Sequence, residues 1–282
     1  MYSKLVRFAK NFVRIYTDNQ LPIASAALSY YFTMTFFPLI ICLYTMLGNS
    51  YDKALRIITF LDNFVSDETM ILLNDFLNYV AKNNNTAMMI AGLVVLVTSA
   101  SAASRSVQTT IGRMQGGVKY KVVMYFVFSV VFSLIFLAAI YFAALVMLTG
   151  RQFIKSVNER LPFIDISGSW NWMRFIVLGA IFFFLIWGVY EAAKRSTDKY
   201  STLPGTLATT VGLVAFTLIF SNFISRSARY PLVYGSLASL ILLMLWLYSC
   251  CLVIYSGAAV NIAIRDTKLE LQQLSQDEQK TE

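Results

Sequence analysis

The stretch YGSLASLILLMLWLYSCCLVIYSGAAVN, residues 234–261, contains no Asp, Glu, Lys or Arg. An apolar run of more than about 18 residues is long enough to cross the hydrocarbon core of a bilayer as a helix. Outward from this stretch, similar runs recur along the chain and predict six spans at about 24–47, 86–104, 121–148, 173–192, 203–224 and 235–263. Composition agrees. Hydrophobic residues are 57% of the 282, aromatics 15% and charged residues 13%, with a mean hydropathy of +0.62, whereas about a quarter of an average soluble domain is charged. There is too little charge to coat a water-facing surface, and a transmembrane barrel would show short alternating segments instead. The expected fold class is all-α: a polytopic membrane protein with one six-span domain over residues 1–264 and a polar cytoplasmic tail over 265–282.

The charges orient this plan. The start, MYSKLVRFAKNFVRIY, interleaves Lys4, Arg7, Lys10 and Arg14 with Leu5, Phe8, Phe12 and Ile15 at helical spacing. It reads as an N-terminal amphipathic helix on an anionic leaflet rather than a cleavable signal peptide. With six spans, one side holds this helix, the basic loop 105–121, Lys194, Arg195 and Lys199, and the tail, which together carry fourteen of the 23 Lys and Arg. Short cytoplasmic loops carry the Lys and Arg excess, so both termini are predicted cytoplasmic. Topology thereby accounts for the net charge of +8 without a nucleic-acid partner. In the first outside loop, residues 52–65 and 67–82 have the spacing of two amphipathic helices, with Ser66 placed to cap the second and Asp67 and Glu68 in its first turn. They either lie on the outer leaflet or roof a cavity. Trp170 and Trp172 read as interfacial anchors.

The absence of histidine removes the commonest general base and the commonest metal ligand. Cys42, Cys250 and Cys251 lie inside apolar runs and read as packed thiols. No catalytic residue, metal or cofactor is expected. No charge sits near the middle of a predicted span; Arg105, Arg174 and Glu191 lie at span ends. Arg105 and Glu191 either snorkel to the headgroups or face the bundle interior at the cytoplasmic mouth of a pathway. The segment TSASAAS, 98–104, contains only small or hydroxyl residues, so it either packs closely or lines a cavity. Asn222 and Asn261 would be costly against lipid and are expected to face protein. Pro38 predicts a kink or break in the first span. The candidate substrate-binding or pathway residues are therefore Tyr30, Tyr31, Ser101, Ser104, Arg105, Glu191 and Asn222. Arg113 and Lys119, in a glycine-containing loop, are expected to be solvated.

Three ordered blocks, LSYYFTMTFFPL at 28–39, TLPGTLATT at 202–210 and the 234–261 stretch, resemble the YihY/BrkB family of bacterial inner-membrane proteins. The resemblance covers nearly the whole chain and implies an inner-membrane protein with a role in envelope lipid or solute export. Some members carry the label ribonuclease BN, for which this sequence has neither histidine nor paired soluble-side carboxylates. Members often have an acidic residue after the Gly of the last block, whereas here Gly257 is followed by Ala258, Ala259, Val260 and Asn261.

The sequence thus favours a transporter or flippase-like protein acting on an amphipathic, lipid-like or anionic substrate, with membrane lipids as partners. Arg105 could hold an anionic headgroup, Tyr30 and Tyr31 offer amphipathic rings, and Asn222 offers hydrogen bonds. The alternative is a membrane scaffold whose tail recruits a partner through Leu269, Leu271 and Leu274. A lipid-modifying enzyme lacks a nucleophile–base pair. Substrate identity, energy source, direction and oligomeric state stay open.

Overall fold

The computed structural model describes residues 2–46, 86–117, 170–194, 200–226 and 237–281, and the isolated positions 75, 78, 134, 135 and 138. Nearly all of the expected helices at 52–65 and 67–82 and of the third span at 121–148, and the side chains of Cys42, Trp170, Trp172 and Arg174, lie outside the described residues. Among the described residues the chain is all-helical: α1 Tyr2–Asp18, α2 Leu21–Met46, α3 Thr86–Met114, α4 Trp170–Ala193, α5 Leu203–Arg226 and α6 Leu237–Thr281. Three of these contain segments long and apolar enough to cross a membrane: Ile90–Met114, Leu203–Phe220 and Ile241–Asp277.

The distribution of side chains on α5 is inside-out relative to a soluble helix. Leu203, Leu207, Val211, Val214 and Leu218 form an exposed stripe at helical spacing, while Thr202 at its cap, Thr206 and Thr209 are fully buried or nearly so. Such a helix puts its apolar side outward and satisfies its polar side against protein, as hydrocarbon surroundings require. The bundle packs accordingly. α6 lies against α5, α2, α1 and α3, α2 packs along α3, and α4 packs on α5 and α3. The shared core includes Leu21, Leu28, Ile111, Ile186, Cys251 and Tyr255.

Three helices differ in detail from those expected. α2 runs unbroken through Pro38. α3 continues past Ser104 to Met114, so Arg105 and Arg113 are helical residues rather than loop residues. It stops at Gly116 and Gly117, whose φ values of 90° and 86° are left-handed, with the Gly117 amide donating to the Gly112 carbonyl at 2.9 Å. α6 continues through residues 265–281, so the polar tail is one helix with the last span. The tail is rich in good helix formers, Leu, Glu, Gln and Lys. At 45 residues α6 is roughly 68 Å long, about twice the thickness of a bilayer core, so its end must project from it.

That projection receives α1. Phe8, Phe12, Ile15 and Tyr16 pack into the core. Asn11 Nδ2 donates to Thr267 Oγ1 at 3.2 Å, and Arg14 Nη2 meets Asp266 Oδ2 at 3.3 Å. The opposite side of α1 leaves Leu5, Val6 and Val13 exposed beside Lys4, Lys10 and Arg14. The helix expected to lie on a leaflet is therefore also docked on protein.

Candidate functional site

The turn between α1 and α2 and the second half of α3 enclose a cavity of about 540 Å³. Gln20, at φ 49°, occupies the left-handed region and redirects the chain from α1 into α2. This turn supplies Asn19 and Gln20 to one wall, and α2 continues it with Ile23, Ala24, Ala27 and Tyr31. The facing wall is α3: Ala102, Arg105, Ser106, Thr109, Thr110 and Arg113. Arg105, Thr109 and Arg113 recur every four residues, so they rise along one side of the helix. Among the described residues no acidic one lines the cavity. Thr109 and Arg113 are exposed and Ile23 is 66% exposed, so the cavity opens to the surface with one apolar and one cationic lip.

The seven expected pathway residues do not share this site. Arg105 and Tyr31 line it. Ser101, one turn before Arg105, and Ser104 are buried, and Gln108 Nε2 donates to Ser104 Oγ at 3.2 Å. Within the small-residue segment Ala102 borders the cavity and these two serines do not. Tyr30 is half exposed and Asn222 is exposed, its Nδ2 donating to the Leu218 carbonyl one turn back at 3.0 Å. Asn222 lies on the side of α5 opposite its inward threonines. Glu191 is on α4, where Oε1 accepts from Lys194 Nζ at 3.0 Å and Oε2 accepts from Thr202 Oγ1 at 2.9 Å.

Glu191 belongs to a second polar centre that the sequence reading did not assemble. Tyr190 donates its hydroxyl proton to the Ile254 carbonyl at 2.5 Å, which leaves Thr209 Oγ1 as the donor to the Tyr190 oxygen at 2.6 Å. Asn261 Oδ1 accepts from the Gly205 amide at 2.6 Å while its Nδ2 donates to the Thr202 carbonyl at 3.0 Å. A side chain of α6 thus caps the start of α5. Gly205 and Gly257 allow this approach: a Cβ on Gly257 would overlap Thr209 Oγ1, and one on Gly205 would overlap the Gly257 carbonyl oxygen. The spacing of Thr202, Thr206 and Thr209, and of Gly257 and Asn261, was the available signal for one face on each helix. Nearby, the Tyr200 ring has Lys194 Nζ at 5.3 Å and the Arg265 guanidinium at 5.6 Å, and its hydroxyl accepts from Gln115 Nε2 at 3.1 Å.

Inward threonines, outward aliphatics and helices long enough to span define an all-helical integral membrane protein with a cationic cavity at the polar end of α3. The chain belongs to the family described as Virulence factor BrkB, whose model matches residues 12–282. The resemblance carried by the three sequence blocks is thereby established. Among curated proteins, the chain is 22% identical over 267 residues to YfkH of Bacillus subtilis, a protein named as ribonuclease-like, with 93% of this chain and 96% of that one covered. It is 29% identical over 126 residues to UPF0761 membrane protein VP0125 of Vibrio parahaemolyticus, covering 43% of this chain and 37% of that one. Over 104 residues it is 30% identical to UPF0761 membrane protein AZOSEA40600 of Aromatoleum aromaticum, covering 35% of this chain and 25% of that one. No solved structure matches it.

Proposed function

We propose that the protein is a transporter or flippase-like protein for an anionic amphipathic substrate of the bacterial envelope, built on six spans of the inner membrane with both termini cytoplasmic. The observation that carries this reading is the cavity between α2 and α3, where guanidinium and hydroxyl groups on one wall oppose Ile23, Ala24 and Ala27 on the other. Opposed polar and apolar walls suit a molecule that has both kinds of surface. The ribonuclease label finds no support in the chemistry of this chain, which has no histidine. Vesicles containing the purified protein and fluorescent phospholipids test the lipid form of the proposal. Leaflet exchange should be faster than in empty vesicles; equal rates reject it.

The second reading, a scaffold without transport activity, is favoured by the projecting end of α6, where Leu269 and Leu274 are half exposed. Deleting residues 269–282 separates the two. A transporter keeps its exchange activity, because the cavity lies elsewhere, whereas a scaffold loses its partner.

A further inference from the structure

We infer that the α2–α3 cavity is a phosphate site in which Arg105 and Arg113 grip one anion from two turns of the same helix. The inference rests on the proposed function for its location and deepens it by assigning the ligand class and a second binding residue. Residues 105 and 113 lie roughly 12 Å apart along the helix axis, a separation that two extended arginine side chains can close from either side. Thr109 stands between them and Ser106 beside them, both on the cavity wall. A carboxylate has two oxygens in one plane and a single negative charge, which one guanidinium fork can match in geometry and charge. A phosphate group offers three or more oxygens and can accept from both arginines and a hydroxyl together. The opposite wall presents the Asn19 and Gln20 amides and the Tyr31 ring and, among the described residues, no carboxylate, so a zwitterionic headgroup's cation meets no opposite charge there. Exposed Ile23 at the lip offers apolar surface to an attached chain.

The chemistry fits a phospholipid headgroup or a free phosphate compound, and binding measurements on the full-length protein in detergent distinguish these sources. The probes are dioctanoyl phosphatidic acid, dioctanoyl phosphatidylcholine and inorganic phosphate. Phosphatidic acid should bind more tightly than phosphatidylcholine, and Arg105→Gln and Arg113→Gln should each weaken it by about tenfold or more. Arg105→Lys and Arg113→Lys, which keep the charge and lose the fork, should fall between. Ala102→Leu keeps both cations and fills the space between the walls, so it should also weaken binding; a general attraction of lipid to positive charge would not respond to it. Lys268→Gln, distant on α6, should leave binding unchanged. Inorganic phosphate binding as well as phosphatidic acid assigns the site to a soluble compound, and weaker binding assigns it to a lipid; either supports a phosphate site. Equal affinity for the two lipids, or full affinity in both Gln variants, overturns it. Binding without leaflet exchange would uphold this site and reject the transporter, while exchange indifferent to both arginines would do the reverse.

Discussion

Asn261 closes the start of α5 from another helix, and its two hydrogen bonds cannot be replaced by water because the residue is 2% exposed. Pro204 contributes no amide to that end, so the Gly205 amide is a donor that must be met. Asn261→Leu would leave the Gly205 amide unpaired, at about 1–3 kcal/mol, while the Thr202 carbonyl keeps the Thr206 amide and hydroxyl as donors. Gly257→Ala acts by volume at the same crossing: its methyl group meets Thr209 Oγ1, and overpacking of this kind costs about 1–3 kcal/mol. Both variants should unfold at lower denaturant or temperature in micelles, whereas Leu207→Ala, on the 55%-exposed side of α5, should change little. Wild-type stability in Gly257→Ala would mean that α5 and α6 do not approach so closely.

At the scale of elements, α1 and the end of α6 form one unit. Deleting residues 269–282 preserves Asp266 and Thr267 and should leave α1 docked, while deleting 265–282 removes both of its polar contacts. Limited trypsin digestion should then cut at Lys10 and Arg14 faster in the longer deletion than in the shorter one; equal rates would mean that apolar packing alone holds α1. The helical runs were legible because uninterrupted apolar character has no other stable form in lipid. Helix ends were less so. Arg105 marked an end by charge, yet α3 continues two more turns because the residues after it, SVQTTIGRM, alternate buried Val107, Ile111 and Met114 with polar positions. The site was legible in part. Arg105 stood out as a charge beside small residues; Arg113 is exposed as expected, and its spacing from Arg105 and Thr109 also places it on the cavity side. Asn19 and Gln20 gave no such signal, since only the left-handed turn at Gln20 brings them to the cavity.

For the whole molecule, the hydrogen bond between Asn11 and Thr267 puts the two chain ends together. Ends that share a side require an even number of crossings between them, a parity that the proposed six spans have. A membrane-impermeant thiol reagent should label Lys4→Cys and Lys268→Cys only from the cytoplasmic side; labelling of both from outside reverses the orientation, and labelling from opposite sides rejects the docking of α1. The same contact has a consequence for biosynthesis. Asn11 leaves the ribosome 256 residues before Thr267, which at about 5–20 residues per second is a wait of roughly 10–50 s. Throughout insertion of the spans, α1 has no finished partner to dock on. On the inner-membrane placement proposed above, the exposed Leu5, Val6 and Val13, set among Lys4, Lys10 and Arg14, would give it a berth on the anionic bilayer surface until the last turns of α6 are made.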